Sequence, residues 1–341
     1  MKVRISLLLA CVLGILLTGC NVKVSVEKGE LTRASAPVYD SNYITVGLIQ
    51  TGKESDWRDA NTNNYLEIFV PENGYNLIYI DGNSSHDRQV KAMEDLIRQQ
   101  VDYIILQPIV EDGWEEPLHM AKEAGIPVIV ADRQVSVDEN EYTTWIGSDF
   151  YAEGEKAILW LEEYLEANGR ATDTINIVLL EGTEGATATI GRTESVLKGI
   201  EGHDNWNVVA RECANFTQGE GQTVMERILS QQVAGDAIDV IISENDNMAF
   251  GAMKALELNG YTYGPKGKII IVSFDALREA FDKMISGELH VSVECNPLLA
   301  QNVEQAIQKL EAGETLDKKY YTQEAVYTYE NAALFKEQRT Y

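Results

Sequence analysis

The chain has 341 residues, of which 54 are acidic and 28 basic, so its formal net charge is −26. Such acidity argues against nucleic acid or an anionic lipid surface as a direct partner of the folded part. The length exceeds what one hydrophobic core usually supports and predicts two domains.

The first twenty residues have the order of a secretory leader. Two basic residues precede an apolar run over 5–17, and Thr18-Gly19-Cys20 follows. The run is shorter than the roughly 18 apolar residues of a membrane span. The ending resembles the lipobox of bacterial lipoproteins, which implies a signal peptide over 1–20 and a lipid on the Cys20 sulfur. An uncleaved anchor helix is the alternative. We expect an extracytoplasmic protein anchored to the cell membrane as a lipoprotein.

The polar stretch 21–43 shows no periodicity and predicts a flexible tether. Of the four cysteines, Cys11 leaves with the leader and Cys20 takes the lipid. The spacing of Cys213 and Cys295 does not show whether they meet, and free thiols are the expected state. There is no CxxC or HxxxH pattern, so we predict no metal site and no cofactor.

From residue 44 onward, short apolar strands alternate with amphipathic helices. Strands are predicted over 44–50, 75–80, 102–107, 127–131 and 142–147, and helices over 59–71, 86–99 and 114–124. Strands separated by helices pair in parallel through right-handed crossovers. The pattern therefore predicts a doubly wound parallel sheet.

The same alternation restarts near residue 148. Strands are predicted over 174–181, 206–212, 238–243, 268–274, 289–294 and 323–329, and helices over 152–168, 189–201, 219–232, 247–259, 277–286 and 298–312. The fold class is thus α/β, with two doubly wound lobes that share no obvious sequence repeat.

Polar side chains follow several of these strands. Asp132-Arg133 ends strand 127–131, Asn245 ends strand 238–243, and Asp275 and Glu294 end two later strands. Open α/β sheets bind ligands at the carboxyl ends of their strands. Solvated charges, helix caps and hinge contacts are the alternative roles. Together the residues predict a polar cleft for a small molecule.

Aromatic and further charged residues lie in the same turns. Ser55, Trp57 and Arg58 follow the first strand, and Trp114 occupies an equivalent turn. Ser55 could cap a helix and each Trp could pack in a core, but an indole face beside a guanidinium also suits a sugar. Arg192, early in helix 189–201, is either a solvated charge or part of the same site. Catalytic motifs such as GxSxG, the P-loop and GxGxxG are absent from the sequence, which favours binding over catalysis.

At these residues the chain resembles the sugar-binding proteins of bacterial ABC importers with the type I periplasmic-binding fold. This is the family of ribose- and galactose-binding proteins, and the galactofuranose-binding branch is the most similar. The resemblance covers nearly all of 44–330. It is carried by Glu54-Ser55 with Trp57-Arg58, Gly113-Trp114, Asp132-Arg133, Glu181–Ala186 with Arg192, Asn245-Asp246, Ser273–Asp275 and Ser292–Glu294.

The resemblance implies two lobes joined by a three-segment hinge, with crossings near 147–149, 294–297 and 322–324. The N-terminal lobe would comprise 44–147 plus 296–322, and the C-terminal lobe 148–295 plus 323–341.

The resemblance also implies roles for the site residues. Asp132, Arg133, Arg192, Asn245 and Asp275 would hydrogen-bond a monosaccharide, galactofuranose-like or a related aldose. Ser55, Trp57 and Arg58 would add contacts from the first lobe, Trp114 a further aromatic face, and Glu294 a contact at the hinge. Departures beside these residues, at Gly191, Glu244 and Ala276, leave the identity of the sugar open.

The implied partners are the monosaccharide and the membrane subunits of an ABC permease, and the protein would act as a monomer. Lobe closure around the sugar would create the form that the permease recognises. The alternative is a sensory module of the same fold that reports a sugar or signal to a membrane kinase or chemoreceptor.

Overall fold

The computed structural model describes residues 42–232 and 237–341. The predicted signal peptide, Cys20 and nearly all of the predicted tether lie outside these residues. Within these two ranges, none of the helices combines the length and the apolar composition that a membrane span requires.

Strands and helices alternate through the described chain. The strands are β1 Ile44–Gln50, β2 Tyr75–Asp81, β3 Tyr103–Leu106, β4 Val128–Ala131, β5 Thr144–Gly147, β6 Ile175–Glu181, β7 Trp206–Cys213, β8 Val240–Ser243, β9 Ile270–Asp275, β10 Val291–Glu294, β11 Lys319–Tyr321 and β12 Val326–Thr328. The α-helices are α1 Asp56–Ile68, α2 His86–Gln99, α3 Glu115–Glu123, α4 Phe150–Ala167, α5 Thr187–Glu201, α6 Gln218–Arg227, α7 Asp246–Leu258, α8 Arg278–Ser286, α9 Ala300–Glu311 and α10 Ala332–Phe335.

The strands form two six-stranded sheets. Their orders are β11-β5-β4-β3-β1-β2 and β12-β10-β9-β8-β6-β7. All the pairings between these strands are parallel except that of β10 with β12. The predicted α/β class with two doubly wound sheets is confirmed. The chain passes from one sheet to the other three times, after β5, between β10 and β11, and between β11 and β12.

Each sheet is covered on both faces by apolar side chains. In β3, Ile104 and Leu106 belong to one core cluster and Ile105 to another. In β8, Val240 and Ile242 likewise point away from Ile241. Burial on both faces explains why the strands appear in the sequence as continuous apolar runs instead of alternating patterns.

Some elements differ from the sequence prediction. β11 was not predicted, because its Lys-Tyr-Tyr sequence is short, largely exposed and carries no apolar run. The last predicted strand is shorter and pairs antiparallel. The helix predicted over 219–232 is α-helical only to Arg227 and continues as a π-helix. Helix α1 starts at Asp56, earlier than predicted, because Ser55 Oγ accepts the Arg58 N–H at 3.3 Å and caps it.

Helices α6 and α7 pack with their backbones in close contact. A Cβ atom at Gly251 of α7 would overlap the carbonyl oxygen of Gln218, and one at Gly221 of α6 would lie 2.6 Å from Met248 O. Glycine is therefore needed at both positions for a steric reason.

We expect Gly251→Ala to destabilise the fold by about 1–3 kcal/mol, because the added methyl group must push two helix backbones apart. Urea denaturation followed by circular dichroism measures the change. Gly219→Ala, also in α6, is the matched control, since a methyl group there would meet no atom within 4 Å. The control should be neutral or slightly stabilising through helix propensity. Equal stability of the two variants would contradict the packing argument.

Candidate ligand-binding site

A small cavity lies between the carboxyl ends of the two sheets. Residues that follow β1 and β4 line one side of the cavity. Residues from the segments around the second sheet line the other side. The lining residues are Glu54, Ser55, Trp57, Arg58, Asp132, Arg133, Phe150, Ala188, Arg192, Phe216, Asn245, Asp275 and Cys295. Eight of the ten site residues predicted from the sequence are among them.

Arg58 is the centre of a buried ionic network on the first side. Its Nη2 donates to Asp132 Oδ2 at 2.6 Å and to Glu54 Oε1 at 3.0 Å, while Nη1 donates to Gln107 Oε1 at 2.6 Å. Burial alone would raise the pKa of Glu54, but the charges of Arg133 and Arg58 outweigh burial and lower it. The Glu54 carboxylate is therefore ionised and holds both guanidinium groups.

The backbone of Asp132 is fixed on both sides. Its N–H donates to Ile146 O at 2.9 Å, and its carbonyl accepts the indole N–H of Trp145 at 2.9 Å. These bonds hold Asp132 at φ +62°, a left-handed conformation that Asp tolerates better than most residues. Oδ2 accepts from Arg58, and within the described chain Oδ1 has no hydrogen-bond partner. One carboxylate oxygen is thus available to a ligand.

Arg133 adds a second guanidinium to the same side. Nη2 donates to Glu54 Oε1 at 2.6 Å and Nη1 to Ile109 O at 3.2 Å. Its buried Nε has no partner among the described residues. An unpaired buried donor is costly unless a ligand or water accepts its hydrogen.

Arg192 of α5 is the counterpart of Arg58 on the opposite side. Nε donates to Glu153 Oε2 at 2.7 Å, Nη1 donates to the Glu244 carbonyl, and Nη2 lies 3.5 Å from Asp275 Oδ1. Burial raises the pKa of Asp275 well above its usual value, opposed by Arg192 and increased further by the charges of Asp246 and Asp132. A neutral Asp275 can donate as well as accept a hydrogen bond.

Asn245 is held at the N-terminus of α7. Its Oδ1 accepts the Met248 N–H at 2.8 Å, as expected of an N-cap, and its Nδ2 donates to Phe216 O at 2.9 Å. The neighbouring Asp246 accepts hydrogen bonds from Ser292 Oγ and from the Leu277 N–H, both at 2.8 Å. These bonds tie the helix end to the sheet and leave one N–H of the Asn245 amide for a ligand.

Three aromatic rings complete the lining. Trp57 comes from α1, Phe150 from the start of α4, and Phe216 from the turn after β7. The Arg133 guanidinium lies 5.1 Å from the Phe216 ring centroid, and the Arg192 guanidinium 5.4 Å from that of Phe150. Phe150 and Phe216 are not among the site residues predicted from the sequence. The only available signal was the position of Phe150 after Ser148-Asp149, where the second half begins.

Trp114 and Glu294 are not among the lining residues, so the structure does not bring these two predicted site residues to the cavity. Trp114 is fully buried in the core beside the first sheet, and its indole N–H donates to Val110 O at 2.9 Å. Glu294 ends β10 but accepts from Arg339 Nη1 at 2.6 Å and from the Tyr341 hydroxyl at 3.0 Å. The first residue packs a core, and the second anchors the C-terminal segment.

One group within the described residues brings possible metal ligands together. Single ligand atoms of Glu153, Cys295 and Glu324 lie within 4.8 Å of one another. Glu153 already pairs with Arg192, and Glu324 Oε1 already accepts from the Thr322 hydroxyl at 2.8 Å and from the Asn296 N–H at 3.1 Å. Ser148 Oγ also donates to Glu324 Oε1, so Glu324 joins the three passages of the chain between the sheets, and we assign the group that structural role.

The fold and the site together define a class of protein. Two parallel α/β sheets contribute opposing halves of a small polar cavity, and neither half carries a catalytic arrangement. This is the architecture of a two-lobed solute-binding protein.

The sequence profile described as "Periplasmic binding protein domain" matches residues 46–314. The chain belongs to this family. It is 33% identical over 277 residues to the galactofuranose-binding protein YtfQ of Escherichia coli (strain K12), covering 81% of this chain and 85% of the relative. The resemblance seen in the sequence is confirmed, and the chain is a binding protein and not an enzyme.

Solved structures of two sugar-bound proteins have the same fold. A Mycobacterium smegmatis protein in complex with β-D-fucofuranose is 36% identical, with a TM-score of 0.80 over 86% of this chain and 93% of that one. The binding component of the arabinose ABC transporter from Shewanella sp. ANA-3, bound to L-arabinofuranose, is 34% identical, with a TM-score of 0.80 over 87% and 95%.

Glu244, beside Asn245, has an unusual protonation equilibrium. Burial raises its pKa from 4.5 to about 8, although the Thr193 hydroxyl and the Gly182 N–H, both bonded to its carboxyl oxygens, favour the ionised form. The folded protein therefore holds a proton on Glu244 at a pH where the unfolded chain has lost it. The stability that this proton confers is complete below pH 4.5 and is lost as the pH rises through about 8.

We expect Glu244→Gln to flatten the decline in stability between pH 4.5 and 8. Glutamine keeps the shape of the neutral acid but cannot ionise, so it removes a slope of at most about 1.4 kcal/mol per pH unit. Urea denaturation at several pH values in this window measures the slope. Glu201→Gln, on the exposed face of α5, is the control and should retain the wild-type slope. An unchanged slope in Glu244→Gln would show that Glu244 is ionised in the folded protein.

Proposed function

We propose that this protein captures a monosaccharide in the cavity between its two sheets and delivers it to an ABC permease. The observation that carries the proposal is the composition of the cavity wall. Charged and amide groups with unused hydrogen-bonding capacity face the cavity from both sides, between aromatic rings. A sugar presents hydroxyl groups around its ring and C–H groups on its faces, which such a wall complements.

Each side of the cavity would bind a different part of the sugar. Asp132 and Arg133 offer a free carboxylate oxygen and an unpaired N–H on one side. Arg192, Asn245 and Asp275 face them from the other. Trp57 and Phe216 supply apolar surfaces for the ring. The small size of the cavity suits a single sugar unit better than an oligosaccharide.

The relatives narrow the class of sugar. The three proteins compared above are a galactofuranose-binding protein, a complex with fucofuranose and a protein bound to arabinofuranose. We therefore infer that the ligand is an aldose in its five-membered ring form. The arabinose-binding relative is a component of an ABC transporter, which supports an importer over the sensory module as the partner.

We expect a furanose-forming aldose to raise the unfolding temperature in a thermal-shift screen of pentoses and hexoses. A sugar at 100 times its Kd adds about 2.7 kcal/mol to the folded state. Disaccharides of the same units should have no effect, because they exceed the cavity. A screen in which no monosaccharide stabilises the protein would refute the proposed function.

The variant Asp132→Asn should weaken sugar binding by about 2 kcal/mol, or roughly 30-fold in Kd, because it replaces a charge-assisted hydrogen bond by a neutral one. Asparagine keeps the side-chain shape and accepts a left-handed backbone, so the fold should survive. Titration calorimetry with the sugar from the screen measures the change. Asp204→Asn, at an exposed position before β7, should bind like the wild type. Equal affinities would remove Asp132 from the site.

The lipid anchor is the remaining part of the proposal. Cys20→Ser should prevent incorporation of labelled fatty acid and move the protein from the membrane fraction to the soluble fraction, because the acceptor sulfur is lost. Cys213→Ser, in the folded part, should leave both properties unchanged. Membrane association that survives Cys20→Ser would favour an uncleaved anchor helix.

A further inference from the structure

We propose that Asp56 and Asn247, which lie outside the cavity, form a pair that stabilises the closed arrangement of the lobes and thereby sets sugar affinity. The inference rests on the proposed function for its affinity readout. Asp56 is the first residue of α1, beside the first sheet, and Asn247 is the second residue of α7, beside the second sheet. Neither lines the cavity.

The pair is joined by two reciprocal hydrogen bonds. The Asp56 N–H donates to Asn247 Oδ1 at 3.2 Å, and Asn247 Nδ2 donates to Asp56 Oδ2 at 2.8 Å. Asn247 is only 4% exposed, whereas Asp56 remains exposed at the rim. An asparagine suits this position because its amide can accept and donate at once.

Helix ends add an electrostatic contribution. Asp56 belongs to the first turn of its own helix and contacts the first turn of α7, so its carboxylate faces the positive ends of two helix dipoles. Both bonds, and the favourable interaction of the Asp56 carboxylate with the N-terminus of α7, form only when the lobes approach. Opening the cleft exposes all of these groups to water, so the pair favours the closed state selectively.

Further direct bonds between the two sides also use backbone groups, and near the passage after β10 the Trp57 indole N–H donates to Cys295 O at 2.7 Å. The Glu111 N–H donates to Gly185 O at 2.9 Å, and the Gln134 N–H donates to Thr187 Oγ1 at 2.8 Å. Asp56 and Asn247 differ in that their second bond joins two side chains, both of which can be exchanged. Observed affinity depends on the fraction of protein in the binding-competent state, so a residue that never touches the sugar can change Kd.

The decisive experiment exchanges the two side chains. Asn247→Asp places a second carboxylate against Asp56, and we expect sugar affinity to fall roughly tenfold through repulsion in the closed state. Asp56→Asn should cost about threefold, since a neutral bond can still form. The double variant Asp56→Asn with Asn247→Asp restores one carboxylate, keeps the bond from the backbone N–H of residue 56 and reverses the side-chain bond, and it should return to within about twofold of the wild-type Kd.

The readouts separate closure from a local structural role. Asn247→Asp adds an acid at the start of α7, which favours the helix, so its unfolding temperature should not fall. Its loss of affinity should appear mainly as faster sugar dissociation. Failure of the double variant to recover, or wild-type affinity in Asn247→Asp, would overturn the inference. If Asn247→Asp does not fold, Asn247→Ala replaces it and should weaken binding severalfold.

A second measurement does not depend on the sugar. In a Cys213→Ser background, Asp56→Cys with Asn247→Cys should be joined by a short bifunctional maleimide, and mass spectrometry identifies the linked peptides. A cross-link that forms without sugar supports contact between the two helix ends. The absence of a cross-link in a protein that still binds sugar would refute the pair. Cross-linking in a protein that binds no sugar would refute the proposed function and leave the pair standing.

Discussion

The cavity depends on two arginines that are almost completely buried. Arg58 and Arg192 are each 2% exposed, one beside each sheet. An unpaired buried guanidinium would cost several kcal/mol, so each side must supply carboxylates. Glu54 and Asp132 surround the first arginine, and Glu153 and Asp275 approach the second. The same bonds that satisfy the arginines fix their orientation, so polar groups are in place before a ligand arrives, which lowers the entropic cost of binding.

The two sides solve one geometric problem in similar ways. Asp132 follows the fourth strand along the chain of the first sheet, and Asp275 ends the fourth strand of the second. Both residues have positive φ, +62° and +103°. The similarity between the two sides ends at the next residue, since Arg133 follows the first aspartate and the buried Ala276 follows the second. The cavity is therefore asymmetric although the two sheets are alike, and an asymmetric wall can distinguish the faces of a sugar ring.

The sequence predicted the sheets well because their strands are buried on both faces and separated by amphipathic helices. It predicted the polar lining through residues such as Asp132 and Asn245, since the ends of parallel strands always share one edge. Trp114 and Glu294 occur in equivalent positions, and no local pattern distinguishes a tryptophan that packs a core from one that lines a cavity. β11 could not be predicted, because three largely exposed residues gain strand conformation only from pairing with β5. Likewise, Glu153 meets Arg192 only because helices α4 and α5 pack side by side, which no local sequence pattern shows.

Direct bonds between the lobes must remain few and weak for such a protein to function. A typical hydrogen bond contributes about 1 kcal/mol, so many strong contacts across the cleft would close the lobes without a ligand. The permease that we propose as partner could not then distinguish loaded from empty protein, because both would present the same surface. The bonds at the rim, formed by Asp56, Gln134 and Glu111 with the opposite side, are limited in number and partly solvent-exposed. They add to closure when a ligand supplies the remaining contacts, and they are too weak to replace it.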